Sequence, residues 1–449
     1  MTGAKSGLSR REFLTSSAAA LGAAGISLAY PAPGRAEQGQ APGRKRRVAL
    51  VGTGGRGSSL WGRELLQNFG DLLEMVGLCD INPLRLEYAK GLMGAACPTY
   101  TDFDRLLAET RPELVIVTTM DCFHAKYTCL AMQAGCDVIS EKPMCTDEKM
   151  VQEIMDTEKR TGKRLIVTFN YRYGPDASKI KEVLMSREIG DVTSVDFHWY
   201  LDIHHGADYF RRWHAFKQNS GSLLVHKASH HFDLMNWWLA AEPVEVNAYG
   251  ELRKYGYNGQ IRSERCMTCP HKAECEFYWD ITKDQAAMNL YVKAEPADGY
   301  LRDACVFRER INIWDTMNVQ ALYHNRVAMS YSLNAFMPYE GFTAAFNGTK
   351  GRLDVRTYHN QPWKVESLAE FRITRNFGST RTFAVTAGGE GHFGADQIMQ
   401  QQIFRKKDPD PLGHAAGSRD GALSALVGIA ARHSIEQKRP VKIDELVKI

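Results

Sequence analysis

The first half of the chain alternates short apolar runs of strand length with longer stretches of helical period. Residues 48–51, 114–118 and 137–140 are apolar runs of the kind that form buried strands. Residues 103–110 and 126–134 carry apolar positions at helical spacing. Alternation of strands and helices is typical of a parallel, doubly wound sheet with right-handed crossovers. We therefore predict an α/β fold that begins with a Rossmann sheet.

A glycine-rich turn follows the first of these strands. It contains Gly52, Gly54, Gly55, Arg56 and Gly57. Glycines in such a turn let backbone amides approach a pyrophosphate, whose charge then lies at the start of the next helix. A second strand over residues 73–78 is followed by Asp80, whose carboxylate can accept hydrogen bonds from the adenosine ribose. Strand, turn, helix and acid thus stand in the order of a dinucleotide-binding motif.

Asp80 also bears on the choice between NAD and NADP. A carboxylate that faces the ribose would repel a 2′-phosphate. Residues 81–83 bring no cation next to it, and Arg85 is the nearest residue that could reverse the preference. The sequence therefore favours NAD.

The N-terminus has the pattern of an export signal. Arg10 and Arg11 precede an apolar, alanine-rich run over residues 14–30, as in a twin-arginine signal. Because that run is short for a membrane span, we expect cleavage after Ala36, within a signal over residues 1–36, rather than a membrane anchor. We expect a periplasmic or otherwise exported protein. Since this route carries folded chains, NAD should be bound before export and stay bound.

The remaining chain is too long for one ordinary core. We predict a linker over residues 37–46, a Rossmann domain over residues 47–168 and a second domain over residues 169–449. The net charge of +4 includes a basic cluster over residues 44–47, beside the signal. No basic surface for nucleic acid is indicated.

The ten cysteines fall into two groups. Six in the first half lie within predicted strands and helices, where packing explains them. The other four are Cys266, Cys269, Cys275 and Cys305. They interrupt the second domain in an insertion over about residues 253–310. These four can form two disulfides, hold zinc or an iron–sulfur cluster, or remain free thiols. None of these states implies a catalytic role, and we assign no metal to the active site.

Several short motifs together identify a family. Glu141-Lys142-Pro143 follows a strand at the sheet edge where such folds bind ligands. Asn170 and Arg172, residues 190–192, residues 230–233 and residues 348–351 follow in order. In this order and spacing the mature chain resembles the glucose-fructose oxidoreductase, inositol dehydrogenase and rhizopine-catabolism family, Gfo/Idh/MocA. The resemblance implies a C-terminal α/β domain with a large open mixed sheet, and a homo-oligomer.

The resemblance also implies catalytic residues. In that family the lysine of the Glu-Lys-Pro motif and a helix histidine flank the substrate carbon, which corresponds here to Lys142 and His230, while Glu141 lies at the cofactor. Oxidation of an alcohol needs a group that takes the hydroxyl proton, and either side chain type can do so. The chain departs from the family where an aspartate is usual, because His226 stands there. We expect His226 to share a helix face with His230 and to act as a base, a substrate contact or a packing residue.

Further polar and aromatic residues are candidates for a pocket that binds a sugar. The substrate contacts that we predict are Arg172, Tyr209, Arg212 and Trp213, with Asp121, His124 and Tyr171 as further lining. Aromatic faces beside such donors suit a hydroxyl-rich ring. His204 and His205 are expected to form hydrogen bonds rather than to bind a metal.

Three functions remain open from the sequence. The first is an NAD-dependent oxidoreductase that acts on a hydroxyl of a carbohydrate or polyol, with tightly bound NAD. The second is an NAD-dependent glycosidase that works by transient oxidation and elimination, similar to glycoside hydrolase family 109. The third is a catalytically inactive binding protein, which only the missing aspartate at position 226 suggests.

Overall fold

The computed structural model of the protein describes residues 44–364, 369–386, 394–405 and 409–448. The predicted signal over residues 1–36 and most of the predicted linker lie outside the described residues. The described chain builds one sheet of six strands and one of nine, with helices packed against both. This confirms the predicted α/β fold class.

The first sheet is parallel throughout. Its strands are β1 (Arg46–Val51), β2 (Leu73–Cys79), β3 (Thr99–Tyr100), β4 (Leu114–Val117), β5 (Asp137–Ser140) and β6 (Leu165–Val167). They lie in the order β3-β2-β1-β4-β5-β6. Strands β2 and β3 are thus added on one side of β1, and strands β4 to β6 on its other side. The crevice at the carboxyl ends of β1 and β4 is where dinucleotides bind in such sheets.

Helices cover both faces of this sheet. They are α1 (Gly55–Ser58), α2 (Leu65–Phe69), α3 (Pro83–Met93), α4 (Phe103–Thr110), α5 (His124–Gln133) and α6 (Glu148–Thr161). A π-helical segment, Ser59–Glu64, joins α1 to α2. The side chains of Asn82, Asp102 and Asp147 cap α3, α4 and α6 by accepting backbone N–H groups, which explains why these helices begin where they do.

The second sheet is mixed and larger. Its strands are β7 (Val192–Asp202), β8 (Pro243–Glu251), β9 (Thr316–Tyr323), β10 (Ala328–Met337), β11 (Glu340–Gly348), β12 (Gly351–Asn360), β13 (Ala369–Arg375), β14 (Thr380–Val385) and β15 (Val441–Lys442). Their order is β14-β13-β12-β11-β7-β10-β9-β8-β15, and the pair β7 and β10 is parallel. Burial alternates along β9, as expected where only one face of a sheet is covered.

The helices of the second half include those that pack against the second sheet. They are α7 (Pro175–Met185), α8 (Ile203–Arg211), α9 (Lys217–Ser220), α10 (Leu223–His226), α11 (Ala228–Leu239), α12 (Gln285–Leu290), α13 (Glu295–Asp298), α14 (Ala395–Phe404) and α15 (Ser418–Gln437). Helix α15 packs on β8 and α11. None of the described helices is long and apolar enough to cross a lipid bilayer.

Two local features matter for the site. The predicted single helix around His226 and His230 is wrong in one respect, because the helix is interrupted at Lys227. His226 therefore ends α10, while His230 lies in the first turn of α11, where its N–H bonds to the Lys227 carbonyl three residues back. The cysteine-containing insertion lies between β8 and β9, which are neighbours in the sheet, and it includes α12 and α13.

Candidate active site

A cavity of about 1220 Å³ lies at the carboxyl edge of the parallel sheet, and residues of α8, α10, α11 and the insertion complete its wall. The predicted site residues that line it are Gly52, Gly54, Gly55, Arg56, Asp80, Glu141, Lys142, Tyr209, Arg212, Trp213, His226 and His230. Gly57 and Arg172 are not part of this lining. The structure thus brings the predicted cofactor and catalytic residues into one space.

The turn after β1 has the backbone that the glycine pattern predicts. Gly52 has a φ of +92°, and a Cβ atom there would lie 2.7 Å from the backbone of Thr118. A Cβ atom at Gly57 would collide with the carbonyl oxygen of Gly52. Gly57 therefore acts by letting α1 pack closely on β1, whereas the earlier glycines leave backbone facing the cavity. A pyrophosphate fits such a cradle.

Arg56 and Glu141 form an ion pair in the wall of the cavity. Arg56 Nε donates to Glu141 Oε1 at 2.8 Å, and Arg56 Nη2 donates to Asp396 Oδ1 at 2.7 Å. Trp61 Nε1 donates to the same Glu141 oxygen at 2.8 Å. Burial alone would raise the pKa of Glu141, but Arg56 and Trp61 outweigh it and lower the pKa. The ionised Glu141 therefore anchors the strand end that carries Lys142.

Asp80 is fixed at the end of β2. Its Oδ2 accepts from the Thr53 amide at 2.7 Å, and its Oδ1 accepts from the Asn82 amide at 2.9 Å. Arg85 Nη1 donates to Asp80 Oδ1 at 3.1 Å, and Arg85 Nη2 pairs with Asp298 at 2.5 Å. Because two carboxylates balance Arg85, its charge is engaged within the protein rather than directed at a 2′-phosphate. These contacts suit an NAD ribose.

Part of the insertion, residues 285–298, lies across the cofactor turn, and we call this segment the strap. The Tyr291 hydroxyl accepts from the Gly55 amide at 2.9 Å. Asn82 Nδ2 donates to the Ala294 carbonyl at 2.9 Å. With the pair formed by Arg85 and Asp298, these contacts fasten the strap to the glycine turn and to the residues that follow β2.

Asp121, His226 and Lys142 form a connected group in the cavity wall. His226 Nδ1 lies 2.5 Å from Asp121 Oδ2. On the other side of the ring, His226 Nε2 lies 3.5 Å from Lys142 Nζ, which also donates to the His226 carbonyl at 3.3 Å. The carboxylate therefore sets the orientation of the imidazole, and the imidazole sets that of the lysine.

Burial drives this group towards its neutral forms. It lowers the pKa of Lys142 to about 8, although Asp121 and Glu141 oppose the shift. Burial also lowers the pKa of His226 well below its usual value, and Lys142 adds to that effect. The pKa of Asp121 is raised by burial, against the pull of Lys142. A lysine amine that is available to accept a proton near neutral pH is what an alcohol oxidation needs.

His230 lies beside this group in an aromatic stack. Its ring is stacked on Tyr171, with centroids 4.1 Å apart and planes 10° apart. Tyr171 in turn stacks on Trp199 and accepts from Lys227 Nζ at 3.0 Å. Lys227 Nζ lies 4.9 Å from the centroid of the Trp199 ring. The stack fixes the plane of His230 at the cavity wall, between the cofactor side and the second sheet.

The predicted substrate contacts other than Arg172 face the cavity. The Tyr209 hydroxyl lies 3.2 Å from His205 Nε2, and burial raises the Tyr209 pKa to about 12. Arg212 Nη1 pairs with Asp208 at 3.2 Å. The Trp213 ring stacks on His214 with centroids 3.6 Å apart. Together they give a wall of aromatic faces and fixed donors.

Arg172 has a different place from the one predicted. Its guanidinium forms a paired contact with Asp233 at 2.8 and 2.6 Å and also donates to Asp420 and to the Gly413 carbonyl. The side chain is buried away from the cavity. Its N–H groups are thus engaged inside the second domain, and the geometry does not support Arg172 as a substrate contact.

His205 also belongs to a small polar cluster. Asp202, His205 and Glu340 offer ligand atoms that all lie within 4.8 Å of one another. His205 Nδ1 lies 2.7 Å from Glu340, and Asp202 accepts the His204 and His205 amides as the cap of α8. Lys227 Nζ lies 3.8 Å from Glu340. These contacts explain the cluster through internal hydrogen bonds and charge pairing, and the absence of an active-site metal remains a prediction.

Sequence reasoning missed some of the residues that shape the cavity. Asp121 was a candidate for the lining, but nothing in the sequence linked it to His226, which is 105 residues away. Tyr291 belongs to an insertion with poor periodicity, and its contact with Gly55 spans 236 residues. His214 is buried against His226, with ring centroids 4.1 Å apart. The sequence feature that could have indicated a place for His214 in the site is its position between Trp213 and α9.

Known proteins resemble both halves of the chain. The family model for the oxidoreductase family with an NAD-binding Rossmann fold, GFO_IDH_MocA, matches residues 46–169. The model for the C-terminal alpha/beta domain of that oxidoreductase family matches residues 181–443. The first half is therefore an NAD-binding domain.

Individual relatives extend over much of the length. The YteT protein of Bacillus subtilis (strain 168) is 34% identical over 436 residues, which are 90% of this chain and 99% of that protein. An inositol 2-dehydrogenase/D-chiro-inositol 3-dehydrogenase of Lactiplantibacillus plantarum is 23% identical and covers 53% of this chain and 68% of its own. The WlbA dehydrogenase from Bordetella pertussis, solved with NADH and UDP-GlcNAcA, has a TM-score of 0.61 at 20% identity and covers 89% of this chain and 99% of its own.

Proposed function

Because this chain belongs to the Gfo/Idh/MocA oxidoreductase family, we propose that it oxidises a hydroxyl group of a sugar or polyol with NAD that stays bound between turnovers. The observation that carries this proposal is the chain of contacts from Asp121 through His226 to Lys142. It lies in the cavity that also contains the glycine turn and Asp80. Cofactor cradle and proton acceptor thus share one space.

The proposed proton path begins at Lys142. The neutral amine accepts the proton of the substrate hydroxyl as the hydroxyl carbon becomes a carbonyl. His226 holds the amine in place, and Asp121 holds the imidazole. NAD held by the glycine turn and Asp80 would supply the acceptor for the hydride that leaves the hydroxyl carbon, and later the hydride donor for a second carbonyl substrate. Return of the proton from Lys142 to that second substrate then completes a redox-neutral cycle.

The walls of the cavity support a hydroxyl-rich substrate. Tyr209, Arg212 and Trp213 provide a phenol, a guanidinium and an indole face. Sugar rings present apolar C–H faces that pack on aromatic side chains and hydroxyls that hydrogen-bond to fixed polar groups. The dehydrogenase relatives named above act on an inositol or are solved with a sugar nucleotide, which agrees with this substrate class.

The strap supports a retained cofactor. Tyr291 and Asp298 line the cavity beside the glycine turn and Asp80, so NAD held there would leave past a strap that is fastened at Gly55, Asn82 and Arg85. Each such hydrogen bond contributes about 1 kcal/mol, and more where it is charged. A cofactor that must leave past these contacts exchanges slowly.

The test uses the purified full chain without added nucleotide. The protein is denatured and the supernatant is assayed for dinucleotide; a separate sample is mixed with a panel of sugars and polyols while NADH absorbance is followed. We expect dinucleotide in the supernatant and NADH formation with at least one free sugar or polyol. Absence of dinucleotide would remove the retained-cofactor proposal. Release of an aglycone from chromogenic glycosides, with no NADH accumulating from free sugars, would instead establish the glycosidase.

We also propose export through the twin-arginine route. The wild-type chain and a variant with Arg10→Lys and Arg11→Lys are expressed with a matched level of synthesis, and cell fractions are compared by immunoblot. The wild type should be found in the exported fraction, with an N-terminus after Ala36, and the variant should stay in the cytoplasm. Equal export of both would contradict the proposal.

A homo-oligomer built on the second sheet is the third part of the proposal. Tyr249 on β8 and Leu322 on β9 are exposed, and the register places both on one face of the sheet. Light scattering on the eluting protein should give a mass of at least two chains, and Tyr249→Glu with Leu322→Glu should reduce it. A monomeric wild type would contradict this part.

A further inference from the structure

The insertion gathers four cysteines that the proposed reaction does not use. Cys266, Cys269, Cys275 and Cys305 line one small cavity, together with Arg211, Arg265 and other residues. None of the ten cysteines, all of which lie among the described residues, forms a disulfide in the structure. We propose that these four cysteines bind a thiophilic metal centre as thiolates, and that this centre holds the insertion in shape.

The backbone brings the four thiols together from two distant segments. Cys266 and Cys269 lie on one turn, in which the Cys269 amide donates to the Cys266 carbonyl at 3.1 Å. The Cys275 amide donates to His271 at 3.1 Å, in the following turn. A bridge between Arg265 and Ala304 then places Cys305 beside the first three. The arrangement of two close cysteines, a third nearby and a fourth far along the chain is typical of thiolate metal sites.

N–H donors point at the sulfurs. Arg211 Nη1 donates to Cys266 Sγ at 3.0 Å, and the Phe307 amide donates to Cys305 Sγ at 3.4 Å. Both cysteines and Arg211 are buried. Hydrogen bonds from N–H groups and a nearby guanidinium stabilise a thiolate over a thiol, and such donors surround the sulfurs of metal centres.

The spacing of the sulfurs bears on the kind of centre. A tetrahedral zinc ion with Zn–S bonds of about 2.3 Å would hold its four sulfurs roughly 3.8 Å apart. Among the described residues, Asp202, His205 and Glu340 form the group whose ligand atoms all lie within 4.8 Å of one another. No cysteine belongs to that group. No three of the four sulfurs therefore lie within 4.8 Å of one another, so a zinc ion would have to draw them together on binding. An iron–sulfur cluster spans a wider set of thiolates, and either centre uses the same ligand chemistry.

The centre would act on the strap through Arg265. Arg265, which is next to Cys266, pairs with Glu295 at 2.7 Å and with Asp303 at 2.6 Å. Glu295 begins α13, the end of the strap that carries Asp298. A fixed position for Cys266 therefore fixes Arg265 and the strap above the cofactor turn. This last consequence rests on the proposed function, whereas the metal site itself does not.

The experiment measures metal on the purified full chain, prepared under nitrogen without chelator or added metal. Elemental analysis, acid-labile sulfide and the visible spectrum are recorded for the wild type, for Cys269→Ala, for Cys275→Ala and for the control Cys97→Ala. Cys97 is a buried thiol of the Rossmann half, so its loss should leave the metal content unchanged. The two partly exposed cysteines are chosen because their substitution opens no large core cavity.

Two results would support the proposal, and they distinguish the two kinds of metal centre. About one zinc per chain without visible absorbance identifies a zinc site, and iron with an equal amount of sulfide and a visible charge-transfer band identifies a cluster. In either case Cys269→Ala and Cys275→Ala should lose at least half of the metal, and the control should not. A wild type that contains no stoichiometric metal would overturn the proposal, whether its four cysteines react as free thiols or are found as disulfides. Metal that is retained in both variants would also overturn it.

Discussion

His226 Nδ1 lies 2.5 Å from Asp121 Oδ2 across the cleft between the Rossmann sheet and the second domain. The contact joins the loop after β4 to the end of α10. It gives a role to the histidine that stands where the family usually has an aspartate, because the carboxylate is supplied from the other domain. Under the proposed function, Asp121 therefore supplies the carboxyl group that position 226 lacks.

The first prediction concerns this contact. Asp121→Asn keeps the size of the side chain but replaces the carboxyl group that contacts His226 Nδ1 with an amide, so the imidazole and the lysine should be poorly placed. We expect the rate of reduction of bound NAD to fall roughly ten- to a hundredfold, less than the roughly 10²- to 10⁴-fold of a full general acid–base contribution because Lys142 itself is retained, with the cofactor still bound. The measurement is a stopped-flow trace of NADH formation with Asp104→Asn, on α4, as the matched control. An unchanged rate would show that Asp121 has no positioning role.

The second prediction concerns pH. Because burial lowers the pKa of Lys142 to about 8 and the neutral amine takes the proton, the oxidation rate should rise with pH and level off above about 8. Asp121 raises the Lys142 pKa, so in Asp121→Asn the midpoint should move to lower pH. A rate that falls with rising pH, or a midpoint that moves upwards in the variant, would contradict Lys142 as the proton acceptor.

The third prediction concerns cofactor retention. Tyr291→Phe and Asp298→Asn each remove one strap contact, at Gly55 and Arg85 respectively. Each loss should speed NAD dissociation by about three- to thirtyfold, the factor that corresponds to roughly 0.7 to 2 kcal/mol. The assay is the dinucleotide that remains after timed dilution and gel filtration. Tyr257→Phe is the control, since Tyr257 is an exposed tyrosine of the same insertion. Loss rates equal to that of the control would show that the strap does not retain NAD.

These contacts also show what the sequence could and could not predict. The Rossmann half was predictable because local apolar patterns and the glycine turn fix its strands and helices, and Asp80 follows β2 as expected. Lys142 was predictable from its place after β5. The contacts of Asp121 with His226 and of Tyr291 with Gly55 were not, since each joins distant segments through tertiary packing. Arg172 was misplaced because a motif position does not reveal that Asp233 and Asp420 hold its guanidinium.

The fourth prediction separates Arg172 from the substrate contacts. Arg172→Met leaves the buried Asp233 carboxylate without its partner, which should lower the free energy of unfolding by about 3 to 5 kcal/mol. The folded fraction should bind substrate as the wild type does. Arg212→Met should show the reverse, with weakened substrate binding and a smaller loss of stability. Chemical unfolding and substrate titration of the two variants measure these effects. If substrate affinity were weakened in Arg172→Met but not in Arg212→Met, Arg172 would be a substrate contact after all.

The central claim is that Lys142 takes the substrate proton while NAD stays bound. The most direct measurement is a single turnover in which the purified protein, with only its own bound cofactor, is mixed with the best sugar or polyol under anaerobic conditions. The wild type should form close to one NADH per bound cofactor. Lys142→Met should keep its dinucleotide and form NADH at least a hundredfold more slowly, while Lys159→Met, an exposed lysine of α6, should match the wild type. Wild-type rates of NADH formation in Lys142→Met would contradict the account.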